Sequence, residues 1–321
     1  MSIIFHNPLL LTLEYPPQIG GVATYLSEEV KNFSGVVSVI DAHALYGHKL
    51  PIWLPVFWRG RKKYQQHACD CVWVSHILPL GTIAYLWKVV FKTPYRVYVH
   101  GLDLVLPQTS RRKTMLIKTI LKHADEIIAN SNATARLLVN YDINPDKAVI
   151  SYPRIRQIDI GSFMSRAKEL RIAHGLAHKK IVLTIARLVR RKGVHTVIRA
   201  MREVNKKRSD ITYVVVGDGP ELEMLKKNAQ GLPVLFLGSL DENEKNAWLS
   251  ACDLFVMTPI DDPNDFEGYG IVYKEAQQFG KPVIGTRVGG VPEAIGSQGL
   301  IIEPENPEML VRAIEKNLDT V

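Results

Sequence analysis

Two glutamates with two glycines between them form the most chemically informative pattern in the sequence. Glu267 and Glu275 lie eight residues apart. Gly268 and Gly270 precede an amphipathic segment that predicts a helix from Ile271. Glycines in front of a helix leave backbone N–H groups open to an anion, and the positive end of the helix dipole favours a phosphate there. Because carboxylates are good acceptors for sugar hydroxyl groups, the pattern predicts a ligand that carries both a phosphate and hydroxyls.

Four further short segments place glycine, histidine, hydroxyl or basic residues next to predicted strands or helices. These segments are Tyr15–Tyr25, which contains Gly20 and Gly21, and His100–Asp103, Ser131–Thr134 and Ala186–Gly193. Together with the Glu267–Glu275 segment they resemble, in order and spacing, the motifs of retaining glycosyltransferases with the GT-B architecture. The resemblance covers nearly the whole chain and is to the group-one (family four) class, nearest the bacterial phosphatidylinositol mannosyltransferase-like branch. Ala186 departs from the family pattern, which has glycine there.

The resemblance implies a donor site with four charged residues. Arg187 and Lys192 would clamp the diphosphate of a nucleotide sugar, where charge grows as the leaving group departs. Glu275 would bind the ribose hydroxyls, and Glu267 would bind the donor hexose. The other implied donor-binding residues are Gly20, Gly21, Gly238, Leu240, Gly268, Tyr269, Gly270 and Ile271. Around Gly238–Leu240 the nucleotide base would be read by backbone groups. The alternative for Arg187–Lys192 is a solvated basic loop.

The resemblance also implies an acceptor side. His100 closes a predicted strand and precedes Gly101, so its side chain is expected to point into the site and to hydrogen-bond the transferred sugar. Catalysis is thus expected to involve His100 with Arg187, Lys192 and Glu267. Asp103 and Ser131 are the possible acceptor-side residues. The alternatives are a buried structural role for His100, a capping role for Asp103 and an ordinary strand-to-helix turn at Gly20 and Gly21.

The implied reaction moves a hexosyl group from a UDP-sugar or GDP-mannose to a hydroxyl of a lipid-linked or surface-glycan acceptor, with retention of anomeric configuration. The family implies a front-side displacement in which the donor phosphate accepts the acceptor's proton. No metal and no cofactor are expected, because Arg187, Lys192 and the helix N-terminus at Ile271 replace the charge of a metal. Two alternatives stay open: a nucleotide-sugar epimerase of the same fold, which needs no acceptor, and a non-catalytic sugar or lipid binding module.

Two doubly wound domains are predicted to position these residues. Short apolar, β-rich runs alternate with helical-length segments throughout the 321 residues, which is typical of parallel α/β units. The predicted strands are Leu9–Leu13, Val36–Ile40, Val72–Ser75, Arg96–Val99, Glu126–Ala129, Ala148–Ser151, Ile181–Ile185, Thr212–Val216, Val234–Leu237, Leu254–Met257, Val283–Gly285 and Leu300–Ile302. Residues 152–180 lack a strand-like run and are interpreted as the connection, with the boundary near residue 160. The prediction is an α/β protein with an acceptor-side Rossmann-like domain over 1–160 and a nucleotide-sugar-binding Rossmann-like domain over 161–321, facing a cleft.

The basic charge is concentrated in the first half of the chain. Residues 1–160 carry 18 Lys and Arg against 11 Asp and Glu, whereas residues 161–321 carry 22 against 21. From Lys49 to Lys122 there are 13 basic residues and two acids, interleaved with Trp53, Trp58, Tyr64, Trp73 and Trp87. Such a surface suits anionic lipid head groups, to which each cation contributes about 1 kcal/mol; the alternative is a solvated face with some of the tryptophans in the core. No nucleic-acid-binding motif accompanies the charge, so nucleic acid is not expected as a partner.

Membrane spans, secretion and metal binding are not predicted. The sequence has no run of about 18 apolar residues, and the apolar run Leu9–Leu13 lacks a basic leader. Three cysteines cannot form a disulfide framework in a chain of this length. Cys69 and Cys71 lack the Cys-x-x-Cys turn of zinc sites. The expected location is therefore cytoplasmic and peripheral, on the inner face of the cytoplasmic membrane.

Overall fold

The structure is a computed structural model that describes residues 5–18, 20–41 and 53–319. The chain forms two compact units. The first unit comprises Met1–Arg156 together with Asn264–Tyr269, and the second comprises Gln157–Pro263 together with Gly270–Val321. The sequence-based boundary near residue 160 lies close to the division at Arg156. The sequence-based prediction assigned Asn264–Tyr269 to the second domain, whereas the contacts of this segment group it with the first unit.

A parallel six-stranded sheet forms the centre of the first unit, in the order β2-β1-β3-β4-β5-β6. Its strands are β1 (Pro8–Thr12), β2 (Ser38–Asp41), β3 (Cys71–Val74), β4 (Tyr95–Val99), β5 (Glu126–Ala129) and β6 (Ala148–Ile150). Its helices are α1 (Gly21–Lys31), α2 (Trp53–Gln66), α3 (Thr82–Phe91), α4 (Leu102–Val105), α5 (Arg111–His123) and α6 (Asn132–Arg136). Every pair of neighbouring strands is parallel, as expected for strands joined by crossover segments.

The two faces of this sheet bury alternate residues of each strand. Leu9 and Leu11 lie in a core cluster with apolar residues of α2, α3 and α5, whereas Leu10 packs in a second cluster with α1. Trp87 of α3 lies in the first cluster and Trp73 of β3 in the second, each at most 2% exposed. Both tryptophans therefore belong to the core and not to an outer surface.

The second unit repeats this architecture with a sheet in the order β12-β11-β10-β7-β8-β9. Its strands are β7 (Lys180–Ile185), β8 (Ile211–Val216), β9 (Val234–Phe236), β10 (Leu254–Val256), β11 (Val283–Thr286) and β12 (Leu300–Ile302). Its helices are α7 (Met164–Ala173), α8 (Val194–Lys207), α9 (Leu222–Asn228), α10 (Glu242–Ala251), α11 (Ile271–Gln278), α12 (Val291–Ile295) and α13 (Pro307–Asp319). Helices α8 and α13 pack together and share one core cluster with alternate residues of β7 and β8.

The predicted α/β class with two doubly wound sheets is confirmed. All twelve predicted strands occur in the described part of the chain, with ends displaced by at most two residues. The connection is more ordered than expected, since residues 152–180 contain α7 and a 3₁₀ turn at Ile160–Phe163. Within the described residues, no helix combines the length and the apolar character that crossing a bilayer would require.

Candidate functional site

The turn after β4 holds His100 in a fixed position. Asp103 Oδ1 accepts hydrogen bonds from the backbone N–H groups of His100 (3.0 Å) and Gly101 (2.9 Å). Gly101 adopts φ 105°, and a Cβ there would lie 2.2 Å from the Phe266 ring, so glycine is required for two reasons. Asp103 thus fixes the backbone on which His100 stands.

Burial keeps the His100 side chain in its neutral form. Burial and, to a smaller extent, nearby His76 lower the pKa of its imidazole to about 3. The ring hydrogen-bonds the backbone of Ser75. Among the described residues, the buried Nε2 has no hydrogen-bond partner. His100 therefore offers a lone pair that can accept a hydrogen bond from a ligand hydroxyl group.

A cavity of about 360 Å³ lies at His100 within the first unit. The residues that line this His100 cavity are Glu14, Val22, His76, Leu78, His100, Leu102, Asp103, Leu106, Pro107 and Lys113. Glu14, His76 and His100 follow β1, β3 and β4, which are neighbours in the sheet. The cavity thus occupies the carboxyl edge of a parallel sheet, where such sheets bind ligands. Its wall combines these polar groups with apolar side chains.

Glu14 and His76 were not predicted as functional residues. In the structure, His76 Nε2 lies 3.5 Å from Glu14 Oε1, and His76 Nδ1 lies 2.7 Å from Ser75 Oγ. The signal that could have identified both residues is their place directly after predicted strands. The order of those strands in the sheet was needed to show that the two positions adjoin His100.

The segment that contains Glu267 packs in the first unit. Glu267 is only 6% exposed. A Cβ at Gly268 would lie 2.2 Å from the carbonyl oxygen of His100, so this position requires glycine. Ser131 Oγ donates to the Gly268 carbonyl (2.7 Å) and accepts from the Thr134 N–H (3.0 Å), which caps α6. Fully buried Ser131 is not among the residues lining the His100 cavity, so the structure gives its hydroxyl a positioning role.

The predicted diphosphate clamp follows β7 in the second unit. Arg187 is exposed and Lys192 is half-buried at the end of a 3₁₀ turn that spans Arg190–Lys192. Gly193 adopts φ 68° directly before α8, and a Cβ there would lie 1.7 Å from the carbonyl oxygen of Thr258. The backbone of this turn, which carries Lys192 and follows Arg187, is therefore tightly fixed. Ala186 is not among the positive-φ residues, so alanine suits the backbone where the family has glycine.

Helix α11 begins at Ile271, as predicted, after Gly270 at φ 87°. Glu275 in this helix lies 3.0 Å from Lys245 Nζ, and both side chains are 16% exposed. Burial opposes the charged form of Lys245, but Glu275 and Glu242 outweigh it and raise the pKa of this lysine. Glu275 is therefore a half-buried carboxylate held in place by a cation.

The remaining predicted positions lie in loops with little side-chain bulk. Gly21, which starts α1, has no described atom within 4 Å of where a Cβ would lie, so its face is open to a ligand. Gly20 is extended at φ 173°, near the Glu14 carboxylate. Ile19 of the same loop lies outside the described residues. In the second unit, Gly238 adopts φ 70° and its carbonyl accepts from the Gly217 N–H (2.7 Å), while Leu240 is half-buried.

The chain is similar to known glycosyltransferases over both units. Residues 167–320 match the family model described as "Glycosyl transferases group 1", and residues 6–155 match the model described as "Glycosyltransferase Family 4". A GDP-mannose-dependent alpha-(1-6)-phosphatidylinositol monomannoside mannosyltransferase of Mycolicibacterium smegmatis is 27% identical over 95% of this chain and 87% of its own length. A Corynebacterium glutamicum mannosyltransferase that acts on the monoacylated phosphatidylinositol monomannoside is 27% identical over 97% of this chain and 88% of its own length.

Solved structures agree with the architecture. The Anabaena protein HepE in complex with UDP-glucose superposes with a TM-score of 0.74 at 20% identity, covering 98% of this chain and 90% of that one. Sucrose-phosphate synthase from Thermosynechococcus elongatus superposes with a TM-score of 0.70 at 19% identity, covering 98% and 90%. At these identities the likeness concerns the fold, which is GT-B.

Proposed function

Since the chain belongs to the group 1 glycosyltransferases, with a family 4 glycosyltransferase domain at residues 6–155, we propose that it moves a hexosyl group from a nucleotide-diphosphate sugar to an acceptor hydroxyl with retention of configuration. The observation that carries this proposal is the neutral imidazole of His100 at the carboxyl edge of the first sheet. Its Nε2, which has no partner within the described part of the chain, suits a sugar hydroxyl, and its turn is fixed by Asp103. A side chain that is already fixed loses little conformational entropy when the sugar binds.

The donor is bound mainly through the second unit. Arg187 and Lys192 contact the diphosphate, and their charges stabilise the leaving group as its bond to the sugar breaks. The N–H groups at the start of α11 supply further positive potential without a metal. Glu275 binds the ribose, and Glu267 binds the hexose. Support for a mannosyl or glucosyl donor comes from relatives whose names specify GDP-mannose and from the UDP-glucose complex of a protein with this fold.

The displacement proceeds on one face of the sugar. The acceptor oxygen forms its bond to the anomeric carbon on the side from which the diphosphate departs, and the departing phosphate oxygen takes the proton of the acceptor. His100 holds the transferred sugar during this step. No cofactor is consumed.

The acceptor is lipid-linked. The named relatives act on phosphatidylinositol mannosides, which are glycolipids. Leu102 and Leu106 line the His100 cavity although they are 38% and 49% exposed, and Lys113 lies beside them. An apolar margin with a cation matches a ligand whose polar head is joined to a lipid through a phosphate.

The outer side of α2, α3 and α5 contacts an anionic membrane. Trp58, Val90 and Met115 on these helices are 65%, 61% and 74% exposed, which leaves their apolar surface open to lipid. Exposed basic residues on and beside the same helices are Arg59, Lys62, Lys92, Arg111, Arg112 and Lys122. Lys49, at the predicted start of this basic region, lies outside the described residues.

Two basic residues of this region have internal roles. Arg61 lies 4.2 Å from the centre of the Phe91 ring and donates to Thr93 Oγ1 at 3.0 Å. Lys63 donates to the carbonyl oxygen of Val39 at 2.8 Å. Reversing their charges would disturb the fold as well as the surface, so neither residue suits a test of membrane binding.

Liposome flotation tests the membrane contact. The triple variant Lys62→Glu, Lys92→Glu and Arg112→Glu should lose binding to acidic vesicles, and the wild type should lose it as salt rises because the screening length is about 8 Å at physiological ionic strength. The matched control is Lys168→Glu, Lys227→Glu and Arg312→Glu, three exposed cations of the second unit. Equal flotation of the two triple variants would contradict the assignment of this surface.

The reaction itself is tested by a donor screen followed by a transfer assay. Purified protein is screened for thermal stabilisation by UDP- and GDP-sugars. The stabilising donor is then incubated with phosphatidylinositol in mixed micelles, in the presence of EDTA, and the product linkage is read by NMR. An α-linked glycolipid from an α-linked donor is expected. Epimerised free sugar, or binding without turnover, would identify one of the two alternatives instead.

A further inference from the structure

The side chain of Tyr25 lies against His100 inside the first unit. The centres of the two rings are 5.7 Å apart and their planes meet at 84°, which is an edge-to-face contact. Tyr25 belongs to α1 and is only 2% exposed. The imidazole also hydrogen-bonds the backbone of Ser75. Because a single hydrogen bond leaves a ring free to tilt, the contact with Tyr25 supplies a second restraint on the orientation of His100.

Tyr25 is itself held in place by several contacts. Its hydroxyl donates to the Ser151 carbonyl at 3.2 Å, and Ser151 Oγ donates to Glu29 Oε1 at 3.1 Å. Its ring also packs edge-to-face on Tyr98 of β4, with the ring centres 6.0 Å apart. Burial raises the pKa of Tyr25, so the hydroxyl keeps its proton and remains a donor. The ring that meets His100 is therefore fixed by α1, by β4 and by the residue that follows β6.

Helix α1 also carries the open glycine loop at its start. The helix begins at Gly21, where no described atom lies near the position of a Cβ. Val22 precedes Tyr25 by three residues, which places both on one side of the helix, and Val22 lines the His100 cavity. The contact between Tyr25 and His100 therefore ties the position of the glycine loop to that of the imidazole.

We infer that Tyr25 is a positioning residue for the transfer reaction: it holds the His100 imidazole in the orientation in which Nε2 meets the transferred sugar. This inference rests on the proposed function, in which His100 holds that sugar. Tyr25 acts through His100 and not on the ligand, since its side chain is buried and is not among the residues that line the His100 cavity. An edge-to-face ring contact changes an equilibrium constant by about two- to tenfold, which sets the size of the effect that its loss can have.

The test measures, by titration calorimetry, the affinity for a nucleotide sugar relative to that for its nucleoside diphosphate, with the pairs UDP-glucose and UDP, and GDP-mannose and GDP. Tyr25→Leu removes the ring and should lower this relative affinity about fivefold. Tyr25→Phe keeps the ring and should stay within about twofold of wild type. The affinity for UDP or GDP alone should not change, because these ligands lack the sugar that His100 holds. A general loss of structure would instead weaken both ligands of a pair.

The same measurement in a His100→Ala background separates positioning from packing. If Tyr25 acts through His100, Tyr25→Leu should have no further effect once the imidazole is absent. The matched control is Tyr64→Leu, which removes another helix tyrosine of the first unit. The Tyr64 ring packs edge-to-face on Trp87 at 6.2 Å, in the core cluster on the other face of the sheet, so its loss should leave the relative affinity unchanged.

Two results distinguish a failure of this inference from a failure of the proposed function. An unchanged relative affinity in His100→Ala would refute the sugar-binding role of His100 itself. If His100→Ala lowers the relative affinity, the positioning role is refuted when Tyr25→Leu leaves it unchanged, or lowers it equally with and without the imidazole. Should Tyr25→Leu fail to fold, Tyr25→Met fills the space with a flexible side chain without a ring and takes its place in both comparisons.

Discussion

Replacement of Asp103 by Asn should change how the stability of the first unit depends on pH. Burial raises the pKa of Asp103 from 3.8 to about 6, against the opposing effect of the His100 and Gly101 N–H donors. The folded protein therefore binds this proton more tightly than the unfolded chain does. Stability from this group is highest below the unfolded pKa and is lost as pH rises through the folded value.

The size of the effect follows from the shift. A change of one in a pKa corresponds to about 1.36 kcal/mol, and the pKa of Asp103 rises from 3.8 to about 6, a change of about two. The buried carboxylate therefore lowers the free energy of unfolding by about 3 kcal/mol near pH 8 and by about half of that near pH 5. Asn keeps an oxygen that can accept from both backbone N–H groups. Its NH₂ would occupy the place of Oδ2, which is buried and has no partner among the described residues, and this costs about 1–3 kcal/mol at every pH. The stability of Asp103→Asn relative to wild type therefore depends on two opposing costs. Only the cost of the buried carboxylate changes with pH, so the pH dependence reports that cost alone.

The free energy of unfolding of Asp103→Asn, minus that of wild type, should therefore rise by about 1.5 kcal/mol between pH 5 and pH 8. Hydrogen exchange of the β4 peptide at graded urea concentrations reports the first unit alone, which matters because the two units can unfold separately. A difference that stays within about 0.5 kcal/mol over this pH range would show that Asp103 is ionised without penalty, and the reasoning from burial would be refuted.

Two other substitutions test the second unit. Glu275→Gln should weaken nucleotide-sugar binding about tenfold or more in titration calorimetry, because a charged acceptor for the ribose hydroxyls is lost, whereas Glu242→Gln removes a 63%-exposed carboxylate from the same lysine and should not change affinity. Similar affinities for both variants would contradict the assignment of Glu275 to the ribose hydroxyls. Gly193→Ala should cost at least about 3 kcal/mol in urea unfolding because its Cβ meets the Thr258 carbonyl, whereas Gly175→Ala has a similar φ of 66° and open space and should cost only about 1 kcal/mol. Equal losses would mean that backbone conformation alone accounts for both.

The strands and the glycine-containing turns before α8 and α11 could be predicted from the sequence because they depend on local patterns. Every residue of a run such as Ile181–Ile185 is apolar or β-branched, on both faces, as is typical of a buried parallel strand. Gly270 before α11 and Gly193 before α8 are local in the same sense, since each supplies a positive φ where a turn leads into a helix. These signals need no knowledge of the partner strand.

The basic region shows where local patterns stop being informative. The count of cations and aromatic residues does not distinguish Trp58, which is 65% exposed, from Trp87, which is fully buried. Nor does it separate the exposed Lys62 from Arg61, whose guanidinium lies over the Phe91 ring. Those differences arise when α2 and α3 pack on the sheet and on each other.

The arrangement of side chains around the His100 cavity was decided by tertiary structure. Leu10 pairs with Trp73, 63 residues away, and that pairing places the end of β1 beside the end of β3, which brings Glu14 to His76. The sequence by itself determined which segments become strands and which loops carry glycine and charge. Strand order, burial and the direction of each hydrogen bond depend on long-range pairing, which is why only the folded chain shows that Glu14, His76, His100 and Asp103 line one cavity.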